Sequence, residues 1–164
     1  IDETATVVKL HVAITATGAD TELTFTFADA DGKEAPQENV TVTQEEDGTY
    51  TIALELSNGV TEGSYSLKIA KLGYTSYTIT DLPINRDSAS AALELGTAVL
   101  YVGDLNGDGY VDGVDAGLVK RNNGKNGDIS DGDLNGDGYV DGVDYGNIKR
   151  NQGKESIAVK YEKN

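Results

Sequence analysis

The stretch Gly103–Lys125, GDLNGDGYVDGVDAGLVKRNNGK, returns at Gly132–Lys154 as GDLNGDGYVDGVDYGNIKRNQGK. The copies lie 29 residues apart and agree at 19 of 23 positions, so the segment is an internal duplication. In each copy oxygen-bearing side chains occupy loop positions 1, 3, 5, 9 and 12. They are Asp104, Asn106, Asp108, Asp112 and Asp115 in the first, and Asp133, Asn135, Asp137, Asp141 and Asp144 in the second. Position 6 is glycine both times, Gly109 and Gly138.

Calcium chemistry requires this spacing. Ca²⁺ takes six to eight oxygen ligands at about 2.3–2.6 Å, and alternate residues of a tightly wound loop aim their oxygens at one centre. Position 7, Tyr110 or Tyr139, supplies a backbone carbonyl, and glycine at position 6 permits the sharp turn. Position 12 is Asp instead of the usual bidentate Glu. The shorter side chain chelates if the helix behind it sits closer to the ion. The plain alternative is a polar Asx-turn with solvated acids; retention of every ligand position in both copies argues for two bound Ca²⁺.

The repeat resembles the dockerin modules of cellulosome-type assemblies, which carry two loop–helix calcium motifs with Asp at position 12. They often carry a Lys-Arg pair in the following helix, here Lys120-Arg121 and Lys149-Arg150. The likeness covers roughly residues 103–154, about a third of the chain. It implies a binding module that plugs into a cohesin domain of a scaffoldin or cell-surface anchoring protein. The setting it implies is extracellular, on a bacterial surface or in a secreted polysaccharide-degrading complex. Carried across, the partner contacts are Gly113, Val114, Leu118, Lys120 and Arg121, with Gly142, Val143, Asn147, Lys149 and Arg150. Type I dockerins usually place hydroxyl residues at the first pair. Gly-Val leans instead toward type II or divergent groups.

Charge divides unevenly along the chain. Residues 1–102 hold 16 acids and 5 bases, whereas residues 103–154 hold 10 acids and 6 bases. Eight of those ten acids are the candidate ligands, so two Ca²⁺ bring the second segment to about zero. A net charge of −15 makes a poor binder of nucleic acid or anionic lipid, since both depend on Lys and Arg. No run of 18 apolar residues and no signal-peptide pattern is present, and the chain reads as a mature fragment of a longer protein. Without Cys there are no disulfides or thiolate sites. The single histidine, His11, excludes an ordinary zinc site and reads as an exposed strand residue.

From Thr4 to about Leu95 the pattern is β. Val8, Leu10, Val12 and Ile14 alternate with polar or small residues, as do Leu23, Phe25 and Phe27. Asp47-Gly48 marks a hairpin between Val40–Val42 and Tyr50–Leu56. Ser57-Asn58-Gly59 breaks the pattern, and Tyr65–Ile69 and Tyr74–Leu82 resume it. About seven short strands predict an antiparallel sandwich. The cadence GTYTIAL…GSYSLKIAKLGYTSYTITDLPI resembles the Ig-like X modules that precede some dockerins, and transthyretin-like regulatory domains. The expected fold is therefore an all-β Ig-like or transthyretin-like sandwich, residues 1–98, followed by a small α-helical dockerin, residues 99–164. Ala98–Val102 runs into Gly103 without a Gly/Ser/Pro linker, which predicts a rigid junction with the sandwich as a buttress.

Helices are expected over Val114–Asn122 and Val143–Asn151, with Gly124 and Gly153 as stops. At 100° per residue Ala116 and Val119 face Tyr145 and Ile148, pairing small with large. The tail Ile157–Tyr161 alternates and is expected to pack beside Leu100–Val102. Three other functions compete with this one. A calcium sensor or buffer needs a groove that opens on binding, and the helices are short with no Met. A glycosidase needs a carboxylate pair, and the clustered acids are taken by the metal reading; with no Ser/His or Cys/His set, the chain is not expected to be an enzyme. A carbohydrate- or surface-binding β-module needs exposed aromatics, for which Tyr74 and Tyr77 are the candidates.

Overall fold

The computed structural model describes residues 6–16, 22–57, 60–86 and 92–162. Thr4 and the Asn58-Gly59 break lie outside the described residues. The chain runs β1 (Thr6–Ala16), β2 (Leu23–Ala28), β3 (Val40–Gln44), β4 (Tyr50–Leu56), β5 (Gly63–Lys71), β6 (Tyr77–Ile84) and β7 (Leu93–Leu100). Two helices follow, α1 (Gly113–Asn122) and α2 (Gly142–Asn151), and then β8 (Ile157–Lys160). Two four-stranded sheets, β3-β4-β1-β7 and β2-β5-β6-β8, form a sandwich, and the helical segment sits between β7 and β8 in sequence. The helices start one residue earlier than expected.

Alternation builds the sandwich. Val8, Leu10 and Val12 of β1 pair with Leu54, Ile52 and Tyr50 of β4, and the inward members of both strands are buried. Phe25 and Phe27 face Ile69 and Leu67 across β2 and β5. The expected hairpin forms, with Glu45 and Thr49 bonded across the Asp47-Gly48 turn. Not every pair is antiparallel, however. β7 lies parallel to β1, and β8 lies parallel to β6. Both need long crossovers, and the β6–β8 crossover contains the whole duplicated segment.

The tail corrects one expectation. It does form a strand, but beside β6 and not beside Leu100–Val102. The latter's hydrogen-bonding groups are already engaged: Thr75 N–H donates to the Tyr101 carbonyl at 2.8 Å, and Tyr101 N–H donates to Thr75 Oγ1 at 2.9 Å. The open edge was β6, whose unpaired backbone groups β8 satisfies. The C-terminal tail, grouped with the second domain on sequence grounds, thus completes a sheet of the first. β7 likewise runs through the expected boundary at residue 98. His11 is half-buried, not exposed; its ring bridges Glu94 (Nδ1, 2.8 Å) and Thr49 Oγ1 (Nε2, 2.7 Å), because neighbouring strands place both beside it.

The junction is packed, as the missing linker predicted. Buried apolar residues form one cluster running from Val8 through Tyr74, Leu100 and Val102 to Val119, Ile129 and Ile148. Gly103 N–H donates to the Gly73 carbonyl at 2.8 Å, and Asn151 Nδ2 donates to the Val102 carbonyl at 2.9 Å. Gly73, in the β5–β6 turn, has φ +84°, and a Cβ there would meet Ile129 Cδ1 at 2.5 Å. Gly73→Ala is therefore expected to cost about 1–3 kcal/mol, from backbone strain plus displacement of Ile129. Thermal melts check this. An unchanged midpoint would mean that the turn and Ile129 move apart freely.

Candidate metal centre and partner face

Each loop winds its backbone around its first aspartate. Asp104 Oδ1 accepts from Gly107 and Asp108 N–H at 3.0 and 3.2 Å, and Oδ2 accepts from Gly109 N–H at 2.9 Å. Asp133 takes the equivalent bonds from Gly136, Asp137 and Gly138 at 3.0, 3.2 and 2.7 Å. These turns require glycine: Gly107, Gly109, Gly136 and Gly138 all have φ between +74° and +90°. The last aspartate closes the loop from the helix side. Asp115 Oδ1 accepts from Leu105 N–H at 2.8 Å and Oδ2 from Asp112 N–H at 2.9 Å, and Asp144 repeats this with Leu134 and Asp141, both at 2.8 Å.

Carboxylate oxygens of Asp104, Asp108 and Asp115 lie within 4.8 Å of one another, as do those of Asp133, Asp137 and Asp144. Asp104, Asp115, Asp133 and Asp144 are buried. Burial pushes the carboxyls of Asp104, Asp115 and Asp144 above the ordinary range, backbone N–H donors pull them back, and a neighbouring carboxylate adds to the rise. Among the described residues no Lys or Arg forms a salt bridge with these groups. Three converging carboxylates, two of them buried, with no cation of their own form a donor set that a hard divalent ion fits.

The other expected donors divide. Asn106 Oδ1 accepts from Asp108 N–H at 3.3 Å, and Asn135 repeats this with Asp137, so both stay at the loop. Tyr110 and Tyr139 donate N–H to Asp108 and Asp137 at 3.0 Å, which fixes the peptide at position 7. Asp112 and Asp141 lie outside the three-carboxylate clusters. They cap the helices by accepting from Val114 and Val143 N–H at 3.1 and 3.0 Å. Position 9 often reaches calcium through a water, so capping and metal binding are compatible there.

The two motifs are tied reciprocally. Val111 N–H donates to the Lys154 carbonyl and its own carbonyl accepts from Gly153; Val140 N–H donates to Lys125 and its carbonyl accepts from Gly124. Each loop is thus bonded to the segment behind the other helix, about a pseudo-two-fold axis. Sequence reading missed these partners, and the pattern behind them of buried Val111, Leu134 and Val140 with half-buried Leu105. Local spacing holds no sign of bonds between residues some 40 positions apart in one direction and 15 in the other. Val119 and Ile148 are buried, and Ala116 and Tyr145 pack against the same cluster.

Among the described residues, hydrogen bonds join the sandwich to the first loop and none joins it to the second. Ser156 N–H donates to the Gly109 carbonyl at 2.8 Å, and its Oγ accepts from Ser76 N–H at 2.9 Å. The first loop is therefore held between the β5–β6 turn and the start of β8.

On the helices Val114 and Val143 are 60% and 58% exposed, so neither is an ordinary core residue. Gly113, Gly142, Lys120, Arg121, Lys149 and Arg150 are exposed, whereas Leu118 and Asn147 are half-buried. Arg150 donates to Asn147 Oδ1 at 2.8 Å; Leu118 offers Arg121 no such acceptor. Tyr74 and Tyr77 are 5% and 9% exposed and belong to the core, so the aromatic surface needed for a carbohydrate-binding sandwich is not made by them. No helix among the described residues is long and apolar enough to cross a membrane.

A search of curated proteins finds no match to the chain. Residues 102–151, the two loop–helix motifs just described, match the family model of the dockerin type I domain, and they follow a β-rich region consistent with an Ig-like X module.

Proposed function

We propose that this chain is a calcium-dependent adaptor: its dockerin segment binds a cohesin domain of a scaffoldin or cell-surface anchoring protein, and its sandwich acts as a buttress that adds contacts beside the interface. The dockerin match supports calcium-dependent cohesin binding in a cellulosome-type assembly, a setting in which such domains are extracellular. The observation that carries the reading is the pair of oxygen-lined loops beneath two exposed Gly-Val pairs and four exposed cations on reciprocal helices. Two Ca²⁺ are held by Asp104, Asn106, Asp108, the Tyr110 carbonyl, Asp112 and Asp115, and by Asp133, Asn135, Asp137, the Tyr139 carbonyl, Asp141 and Asp144. The partner meets Gly113, Val114, Leu118, Lys120 and Arg121, with Gly142, Val143, Asn147, Lys149 and Arg150 as their equivalents. The role is assembly, not catalysis.

The matching model is of type I, while apolar Gly-Val at the first contact pair leans toward type II or divergent partners, so the cohesin class is open to direct test. Pull-downs against a panel of cohesin classes, with calcium and with chelator, should capture one class in calcium alone. Capture of none, or equal capture in chelator, overturns the reading. Deleting residues 1–96 should weaken both stability and binding, because it strips β8 of its partner strand and uncovers Ile129 and Val102. A truncated dockerin that melts and binds like the full chain would show the two halves to be independent.

A further inference from the structure

The repeats differ at only four aligned positions: Ala116/Tyr145, Leu118/Asn147, Val119/Ile148 and Asn123/Gln152. Three of these meet in one place. Val119, Asn123 and Tyr145, with Lys120 and Gly142, line a notch of about 200 Å³ between the second half of α1 and the first turn of α2. The pseudo-two-fold carries this set onto Ile148, Gln152 and Ala116 with Lys149 and Gly113, where alanine stands in place of the tyrosine wall.

The chemistry of the notch is specific. Its floor, Val119, is buried and apolar. Its wall is the Tyr145 ring, with Lys120 Nζ 5.1 Å and Lys149 Nζ 5.8 Å from the centroid, both within cation–π range. Two ammonium groups at one ring repel each other, and among the described residues neither has a carboxylate within salt-bridge distance. In a chain of net charge −15 this is a cationic spot without an internal counter-charge. An arriving cation is repelled there, and an apolar group would desolvate the ammoniums without pairing them. An acidic side chain satisfies both demands: its methylenes lie on Val119 and Tyr145, and its carboxylate meets Lys120 of the notch lining, with Lys149 at the same ring adding to the positive potential.

The geometry points to a specificity notch that takes a Glu or Asp side chain of the partner protein and that the two-fold repeat presents only once. The inference rests on the cohesin-binding reading for the identity of the partner, not for the chemistry of the notch. A partner carrying one acid opposite this point engages the duplicated face in one orientation, because half a rotation sets the acid against Ala116.

Two measurements test it. In the first, the calcium-loaded full chain, labelled for NMR, is titrated with a Glu-rich hexapeptide and with its Gln counterpart. The amides of Val119, Asn123 and Tyr145 should shift with the Glu peptide, and not with the Gln peptide or in Tyr145→Ala. In the second, the cohesin that binds the unmodified chain is titrated with Tyr145→Ala and with Ala116→Tyr/Tyr145→Ala. Alanine at 145 copies the residue at the equivalent position of α1, and circular dichroism checks that the fold is kept. Tyr145→Ala should weaken binding about tenfold and reduce its salt dependence. The double variant should regain affinity with the orientation reversed, seen as relocated broadening from a spin label on Ser130→Cys, unique in a chain without cysteine. Equal shifts from both peptides, or Tyr145→Ala binding with unchanged strength and salt dependence, overturns the notch. Glu-specific shifts in a chain that binds no cohesin sustain the notch and overturn the adaptor reading instead.

Discussion

Chelating calcium should lower the melting transition of residues 103–154 by roughly 20 °C or more, while the sandwich strands β1–β7 keep theirs. Each loop gathers four carboxylates, and the segment's own core is small: Val111, Val119, Ile129, Leu134, Val140 and Ile148. Ligand that binds only the folded form stabilises by about 4 kcal/mol per site when it stands a thousandfold above its Kd. In a unit of 52 residues each kcal/mol moves the midpoint by at least about 4–8 °C, so two sites outweigh every other term in so small a fold. The two loops should not fail together. The first is braced by the Gly103–Gly73 and Ser156–Gly109 bonds, whereas among the described residues no backbone bond joins the second to the sandwich, which its motif meets through Ile129 packed on Gly73. Hydrogen exchange in chelator should therefore lose protection at Leu134–Val140 before Leu105–Val111. Loss at Ile157 and Tyr161, which dock on β6, should follow the first loop. Full protection at Val140 and Gly153 in chelator would falsify metal-coupled folding.

The parts of this architecture that were legible from sequence are those set by neighbours along the chain. Ligand spacing, glycine turns and helix limits follow from residues within about a dozen positions, and the loops and helices formed as that spacing predicts. Alternation likewise placed Val8, Leu10, Phe25, Phe27 and Leu67 indoors, since a half-buried strand can hide only every second residue. What failed was pairing at a distance. Ile157–Val159 alternates equally well for any open edge, and the choice of β6 over Leu100–Val102 depended on Thr75 having already taken the Tyr101 groups. The side on which Tyr74 and Tyr77 lie was not legible for a related reason. Whether a strand tyrosine faces core or solvent depends on the sheet packed over it, and that sheet comes from residues far away.

The same distinction bears on the Val114 and Val143 pair, whose helical spacing did not reveal whether they were core or contact. Their exposure makes them clean probes, because a charge there meets water and leaves the fold intact. Val114→Asp combined with Leu118→Asn, the residue α2 carries at the equivalent position, should weaken cohesin binding by at least about tenfold. Burying a leucine contributes about 1.5–3 kcal/mol over leaving it exposed, and 1.4 kcal/mol is a factor of ten in Kd. Asparagine recovers none of that without a hydrogen-bond partner, and Asn147 already spends its oxygen on Arg150. Val143→Asp alone should therefore cost much less, since the orientation led by α2 lacks the apolar anchor. All three changes together should abolish binding. Isothermal titration of the three variants against one cohesin, with circular dichroism to verify the fold, separates the outcomes. Equal losses from either helix would mean that both orientations are used alike, and no loss from either would put the interface on another face.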